Sequence, residues 1–210
     1  MTIQLAAQAT ILFQGDSITD SDRVSDHEGL GNGYVRRCAD ALEAAHPGSG
    51  LTILNRGVSG NRVTDLRARW QEDTIALKPD LVSIMVGIND TWRRYDAGDP
   101  TPVEAYEKDY RHILSRVRDE LGADIILIEP FLLPVSPEQW EWREDLDPRI
   151  MAVRRLAAEF DASLLAADGL LSQAVRAVGG AEQLTPDGVH PTPVGDEVIA
   201  RAWTELVGLG

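Results

Sequence analysis

A hydroxyl, an imidazole and a carboxylate are the parts of a nucleophilic relay, and this sequence carries candidates for each. Gln14-Gly15-Asp16-Ser17-Ile18-Thr19-Asp20 places a serine where an apolar run gives way to a loop. In isolation, Gly-Asp-Ser reads as an ordinary turn with a helix-capping serine. A serine hydroxyl is a weak nucleophile until a base removes its proton, so the catalytic reading requires a histidine and an orienting acid elsewhere. Near the other end, Thr185-Pro186-Asp187-Gly188-Val189-His190-Pro191-Thr192 supplies both, three residues apart. At that spacing one turn can present the Asp187 carboxylate and the His190 imidazole to the same cavity. The acid then fixes the tautomer while the other ring nitrogen faces the serine. Without Ser17 the same stretch would be a turn-capping aspartate beside a structural histidine.

Such a relay must also stabilise the oxyanion of a tetrahedral intermediate, with donors aimed where the charge develops. Two further segments offer them. Asn55-Arg56-Gly57-Val58-Ser59-Gly60-Asn61 has glycines that let a backbone N–H approach a ligand closely, and Val86-Gly87-Ile88-Asn89-Asp90 carries an amide side chain beyond the end of an apolar run. Each alone is turn chemistry. Their coincidence is the signal, because all four segments follow predicted strands or lie in the C-terminal loop.

The elements that must position them are legible from hydrophobic periodicity. Short continuous apolar runs predict buried strands at Thr10 to Phe13, Leu51 to Leu54, Leu81 to Val86, Ile125 to Ile128 and Ser163 to Ala166. Amphipathic spacing predicts helices at Tyr34 to Ala45, Val63 to Leu77, Val103 to Leu121, Arg149 to Phe160, Leu170 to Val178 and Val194 to Leu206. Alternating strands and helices, with strands apolar on both faces, imply an α/β fold: a three-layer α/β/α sandwich around a central parallel sheet with right-handed crossovers. In such sheets ligands bind beyond the carboxyl ends of the strands. The one unusual connection, Pro130 to Pro148, is rich in Pro, Glu and Trp and could cover part of a site or bridge to another subunit.

Gly15-Asp16-Ser17, Gly60, Gly87-Ile88-Asn89-Asp90 and Asp187-Gly188-Val189-His190 resemble, in order and spacing, the four sequence blocks of the SGNH (GDSL) hydrolases, and the resemblance spans nearly the whole chain. It implies a flavodoxin-like sandwich in which Ser17 is the nucleophile, His190 the general base and then acid, and Asp187 the orienter. It implies an oxyanion hole made by the Ser17 and Gly60 N–H groups and the Asn89 side chain, and a reaction with no cofactor. The Gly-x-Ser-x-Gly elbow of α/β-hydrolases is absent. A narrower likeness runs through Gly31-Asn32-Gly33-Tyr34-Val35, Asn55 to Asn61 and Ser83 to Asp96. These segments are similar to the branch containing intracellular acetyl-xylooligosaccharide esterases, which deacetylate short xylan fragments and assemble as homo-oligomers. Trp92 and Tyr95 would then offer flat apolar faces to a sugar ring, Arg93 would donate to its hydroxyls, and Asp16 would join them at the substrate. Core packing is the competing reading for Trp92.

Composition narrows the remaining classes. At 210 residues and 43% hydrophobic, the chain can build one sizeable core, read here as a single domain over residues 1–210. Its 34 acidic against 20 basic residues and net charge of −14 disfavour nucleic-acid binding, which draws its affinity from cationic side chains displacing counterions. No apolar run approaches the roughly 20 residues of a membrane span. The only cysteine, Cys38, has no internal partner, and Met1 to Thr10 lacks the features of a signal peptide, so the expected location is the cytoplasm. No metal is expected. Asp20, Asp22, Asp26 and Glu28 around His27 lack EF-hand spacing, and His46 and His112 read as surface residues. Trp70 and Trp203 sit in amphipathic stretches and read as core or interface, whereas Trp140 and Trp142 could line the pocket or enter a neighbouring subunit. The expectation is a serine esterase acting on short acyl esters of carbohydrates through an acyl-Ser17 intermediate. A thioesterase or lysophospholipase with the same residues is the alternative within enzymes, and a non-catalytic carbohydrate-binding module the alternative outside them.

Overall fold

The computed structural model describes residues 2–210. Strands β1 (Ile3–Leu5), β2 (Thr10–Gly15), β3 (Thr52–Asn55), β4 (Leu81–Met85), β5 (Asp124–Ile128), β6 (Ser163–Leu165) and β7 (Val207–Leu209) are interspersed with helices. The helices are α1 (Ser17–Asp20), α2 (Tyr34–Ala45), α3 (Val63–Asp73), α4 (Ile88–Asp96), α5 (Val103–Arg116), α6 (Arg143–Glu159), α7 (Ala167–Val178) and α8 (Pro193–Thr204). Strands β2 to β6 form one parallel sheet in the order β3-β2-β4-β5-β6, with Phe13 of β2 in register with Asn55 on one side and Ser83 on the other. Counting only this sheet's strands, the order is the flavodoxin-type 2-1-3-4-5. After β2 the chain steps out to β3, then returns across β2 to β4. The reversal opens a crevice between the carboxyl ends of β2 and β4.

Side-chain alternation along these strands divides the interior in two. Ile11 and Phe13, Leu81 and Met85, and Ile126 and Ile128 pack with α2, α7 and α8, while Val82, Ile84, Ile125 and Leu127 pack with α3, α5 and α6. Both faces of the sheet are therefore covered by helices, as continuous apolar strands require. Trp70 anchors the second core and Trp203 the first, each fully buried. The Trp203 ring lies 4.9 Å from that of Phe13, and its indole N–H donates to Ser83 Oγ at 2.9 Å.

Several elements differ from their sequence-based bounds for local reasons. The predicted Val63 to Leu77 helix stops at Asp73, where Thr74 leaves helical geometry and a single 3-10 turn follows. The predicted Val103 to Leu121 helix is regular to Arg116 and ends in a wider π turn. Helix α6 begins at Arg143, so the final third of the supposed Pro130 to Pro148 connection is helical. Pro148 is tolerated inside it because both Pro148 and Glu144, whose carbonyl loses its donor, are exposed. Helix α4 had no apolar signature because its buried side is largely polar: Asn89, Asp90 and Thr91 beside Ile88. Strands β1 and β7, three residues each, pair only with one another and were too short to read as periodic.

The Trp203 contacts make a direct prediction. Trp203→Ala removes a fully buried ring and leaves the Ser83 hydroxyl without its partner, so denaturant unfolding should show a loss of about 3–5 kcal/mol. A loss below about 1 kcal/mol would mean that this core tolerates the cavity.

Candidate active site

The site is assembled on the carboxyl edge of the sheet from four separate pieces. Ser17 is the first residue of α1, separated from the end of β2 by Asp16 alone, which caps the helix with its Oδ1 accepting the Ile18 N–H at 3.1 Å. Asn55 closes β3 and is buried. Its amide donates to the carbonyls of Thr19 (2.6 Å) and Leu30 (2.9 Å), while its oxygen accepts the Gly57 N–H at 2.8 Å. These bonds draw the Gly57 to Asn61 loop against α1. Asp20 adds a second tie by accepting from both the backbone N–H and the hydroxyl of Ser59, at 3.1 and 3.0 Å. Gly60 sits in that loop at φ +81°, a left-handed conformation that glycine adopts without cost.

Asn89 lies in the first turn of α4, 4% exposed, and spends one amide N–H on the Asn61 carbonyl at 3.2 Å. A side-chain amide has two such hydrogens, so one remains for a ligand. Its neighbour Asp90 accepts the Val63 N–H at 3.2 Å, linking the start of α4 to the start of α3. The Asn89 and Gly60 segments are thus bound to each other as well as to the sheet. Asn55, Asp20 and Asp90 carry this scaffolding, and sequence reading missed all three in that role. Only Asn55 left a trace, as a polar residue at the inner end of an apolar run.

The fourth piece is the turn before α8. Asp187 Oδ1 accepts the N–H groups of Val189 (2.9 Å) and His190 (2.7 Å), and Gly188 between them takes φ +86°. This carboxylate-closed turn leaves Oδ2 free to meet His190 Nδ1 at 2.6 Å, and the opposite ring nitrogen, Nε2, lies 2.9 Å from Ser17 Oγ. Thr192 then caps α8, its hydroxyl accepting from Val194 and Gly195, with Pro193 in the first turn. Hydroxyl, imidazole and carboxylate, separated by up to 173 positions in the chain, are in hydrogen-bonded series.

The electrostatics of this edge are graded by burial. Partial burial pushes the Asp187 carboxyl up, but hydrogen bonds from the His190 ring and from the His190 and Val189 amides outweigh it and bring the group down to about 2. The Asp187 hydrogen bond in turn lifts the His190 imidazole above its ordinary 6.5, against opposing desolvation. Two further carboxyls lie deeper. Burial raises Asp16 to about 7, opposed by the Ile18 amide and by His190, and raises Asp90 to about 6, opposed chiefly by Arg149.

The aromatic residues collect beside the relay. The Trp92 ring lies 6.0 Å from the His190 ring and 5.5 Å from Trp142, which stacks on Tyr95 at 5.4 Å. Arg93 pairs with Asp96, and the Tyr95 hydroxyl donates to the Glu141 carbonyl at 2.9 Å. Asp16 is 1% exposed and faces inward as a cap. Trp140 stands 66% exposed. Asp26 of the acidic loop folds its own turn by accepting the Leu30 and Gly31 N–H groups and pairing with Arg36. Among the described residues no group of three or more His, Cys, Asp or Glu side chains converges as a metal site would require.

A doubly wound sheet with this relay at its reversal point defines the class as an acyl hydrolase. The chain belongs to the GDSL-like lipase/acylhydrolase family, whose model matches residues 13–198. It is 36% identical to an acetylxylan esterase of Geobacillus stearothermophilus, over 98% of this chain and 97% of that protein. A solved catalytic variant of an acetylxylan esterase from the same organism superposes with a TM-score of 0.90 at 33% identity, covering 99% of this chain and 98% of the other. A protein of Parabacteroides merdae described as a GDSL-like lipase superposes with a TM-score of 0.92 at 35% identity, covering 98% of each chain.

The graded electrostatics can be read directly by titration. Followed by NMR, His190 should titrate above an ordinary imidazole. Asp187→Asn, which removes the accepting carboxylate, should move that titration to lower pH. A His190 that titrates unchanged in the variant would mean that the 2.6 Å contact does not hold in solution.

Proposed function

We propose that the protein is a serine esterase that removes acetyl groups from carbohydrates, with acetylated xylo-oligosaccharides as the leading substrate class. The observation that carries the reading is the 2.9 Å contact between Ser17 Oγ and His190 Nε2, backed by Asp187, in a chain similar over nearly its full length to an acetylxylan esterase. A solved variant similar to this chain at 34% identity is described as an acetyl-xylooligosaccharide esterase.

In this reading Ser17 Oγ attacks the acetyl carbonyl while its proton passes to His190 Nε2, and Asp187 supports the resulting imidazolium. The Ser17 and Gly60 N–H groups and the remaining Asn89 N–H stabilise the oxyanion. Collapse breaks the ester C–O bond, the sugar hydroxyl leaves with the proton from His190, and acetyl remains on Ser17. Water activated by the same imidazole then releases acetate and restores the serine. Trp92, with Trp142 and Tyr95 behind it, borders the relay where a sugar ring would lie, and Arg93, next along α4, would exchange part of its pairing with Asp96 for sugar hydroxyls. Asp16 acts beneath the serine, through the cap of α1. No cofactor enters the cycle.

A cytoplasmic, homo-oligomeric enzyme of one domain belongs to the same reading. The single buried thiol of Cys38 suits a reducing compartment.

Ser17→Ala should lower kcat by about 10⁴-fold or more with folding intact, and Asn89→Ala by about 10²- to 10³-fold. Because the imidazole accepts a proton only when neutral, kcat/KM should rise as pH increases through the elevated His190 value. Comparison of kcat/KM on acetylated xylo-oligosaccharides, long-chain acyl esters and acyl-CoA thioesters tests the substrate class. A preference for either of the latter two would replace the acetyl-carbohydrate assignment, and a fully active Ser17→Ala would end the relay.

A further inference from the structure

The segment between β5 and α6 is neither a free lid nor a mere connection. It is rooted at its start by Phe131, Leu132 and Leu133, all buried in the core. At its end the Arg143 guanidinium grips both carboxylate oxygens of Asp168 at 2.6 and 2.9 Å. Between these anchors it reaches across to the Asp187–His190 turn and holds it at two adjacent carbonyls. The Leu133 N–H donates to the Gly188 carbonyl at 2.9 Å, and Gln139 Nε2 donates to the Asp187 carbonyl at 2.7 Å. Gln139 Oε1 in turn accepts the Val135 N–H at 2.9 Å, so the amide is fixed at both ends. The fit is close: a Cβ on Gly188 would stand 2.6 Å from Gln139 Oε1.

From this geometry we infer that Gln139 is a positioning residue for the reaction, a latch that fixes the backbone of the acid–base turn so that Asp187 and His190 stay aligned on Ser17. The turn's internal bonds, from the Val189 and His190 amides to Asp187 Oδ1, set its shape but do not locate it relative to the sheet that carries Ser17. The backbone bond from Leu133 supplies one point of attachment. The buried Val189 side chain seats the middle of the turn in the core, and the Gln139 amide adds a bond on its Asp187 side, which those attachments leave unsupported. Displacement of a reacting group by about 1 Å costs on the order of 10²-fold in rate, so a latch at this place acts on kcat.

The inference rests on the relay proposed above, and its test separates the two. Gln139→Glu keeps the side chain's size and its acceptor for Val135 while removing the donor to Asp187; Gln139→Met removes both without adding charge. Both variants should lose about 10- to 100-fold in kcat on an acetylated xylo-oligosaccharide, with KM within about twofold and unfolding midpoints close to that of the unaltered protein. The far-downfield proton resonance of the short His190–Asp187 bond should shift or broaden in both. Gln139→Glu alone should also move the rise of kcat/KM to higher pH, through its added negative charge. Unchanged kcat with an unchanged downfield proton would overturn the latch, as would a loss of kcat accompanied only by lower thermal stability. Ser17→Ala in the same panel reports on the relay itself: its inactivity beside fully active Gln139 variants would discard the latch alone.

Discussion

A parallel sheet delivers every strand's carboxyl end to the same edge, and the rest of this molecule depends on that constraint. Because the order reverses at β2, the loops after β2 and β4 diverge to opposite faces and leave a crevice between them. Ser17 emerges from β2, the Gly60 segment from β3 and Asn89 from β4, so the chain needs no long excursion to bring them together. The histidine and its acid arrive separately, on the turn that starts α8. That helix packs against α2 through the core containing Trp203 and Phe13. The apolar interior and the polar edge are therefore one mechanical unit, and core packing sets where the imidazole sits.

Three carboxyls near the serine illustrate how environment separates identical groups. Asp187, half-exposed and accepting three N–H bonds, is held as a strong acid. Asp16 and Asp90, buried with an oxygen each lacking a partner, are pushed toward neutrality. The buried Arg149 touches Asp145 at 2.9 Å and donates to the carbonyls of Asp90 and Thr101, which places a compensating cation behind the start of α4. Such an arrangement stabilises little compared with an apolar core, since desolvation offsets much of the attraction. Its consequence is geometric: it fixes the helix start from which Asn89 projects.

The aromatic surface beside the relay is built from two elements distant in sequence. Trp92 and Tyr95 come from α4, and Trp142 from the residue before α6. The same segment that supplies Trp142 also grips the Asp187–His190 turn, so the surface and the turn share one support. A change in that segment would reach both the aromatic surface and the Asp187–His190 turn.

The sequence by itself determined the architecture and its chemical parts. Continuous apolar runs alternating with amphipathic stretches can be buried only between two helical layers, and the strands of the central sheet fall within two residues of their predicted ends. Ser17 and Asp187 each lie within hydrogen-bonding distance of His190, and Ser17, Gly60 and Asn89 share one edge because strand-end placement is a topological consequence of the βα order. Tertiary structure alone decided the rest. Helix α4 was invisible because its buried face is polar and satisfied by distant groups. Sequence spacing places Pro148 in the connection, with the helix starting at Arg149, because no local signal says that Glu144 and Pro148 will both face solvent. The roles of Asn55, Asp90, Gln139 and Trp142 depend on partners from about 20 to 50 positions away, among them Leu30, Val63, Asp187 and Trp92. A hydrogen-bond donor carries no mark in sequence of the carbonyl it will meet. Only folding supplies that distance.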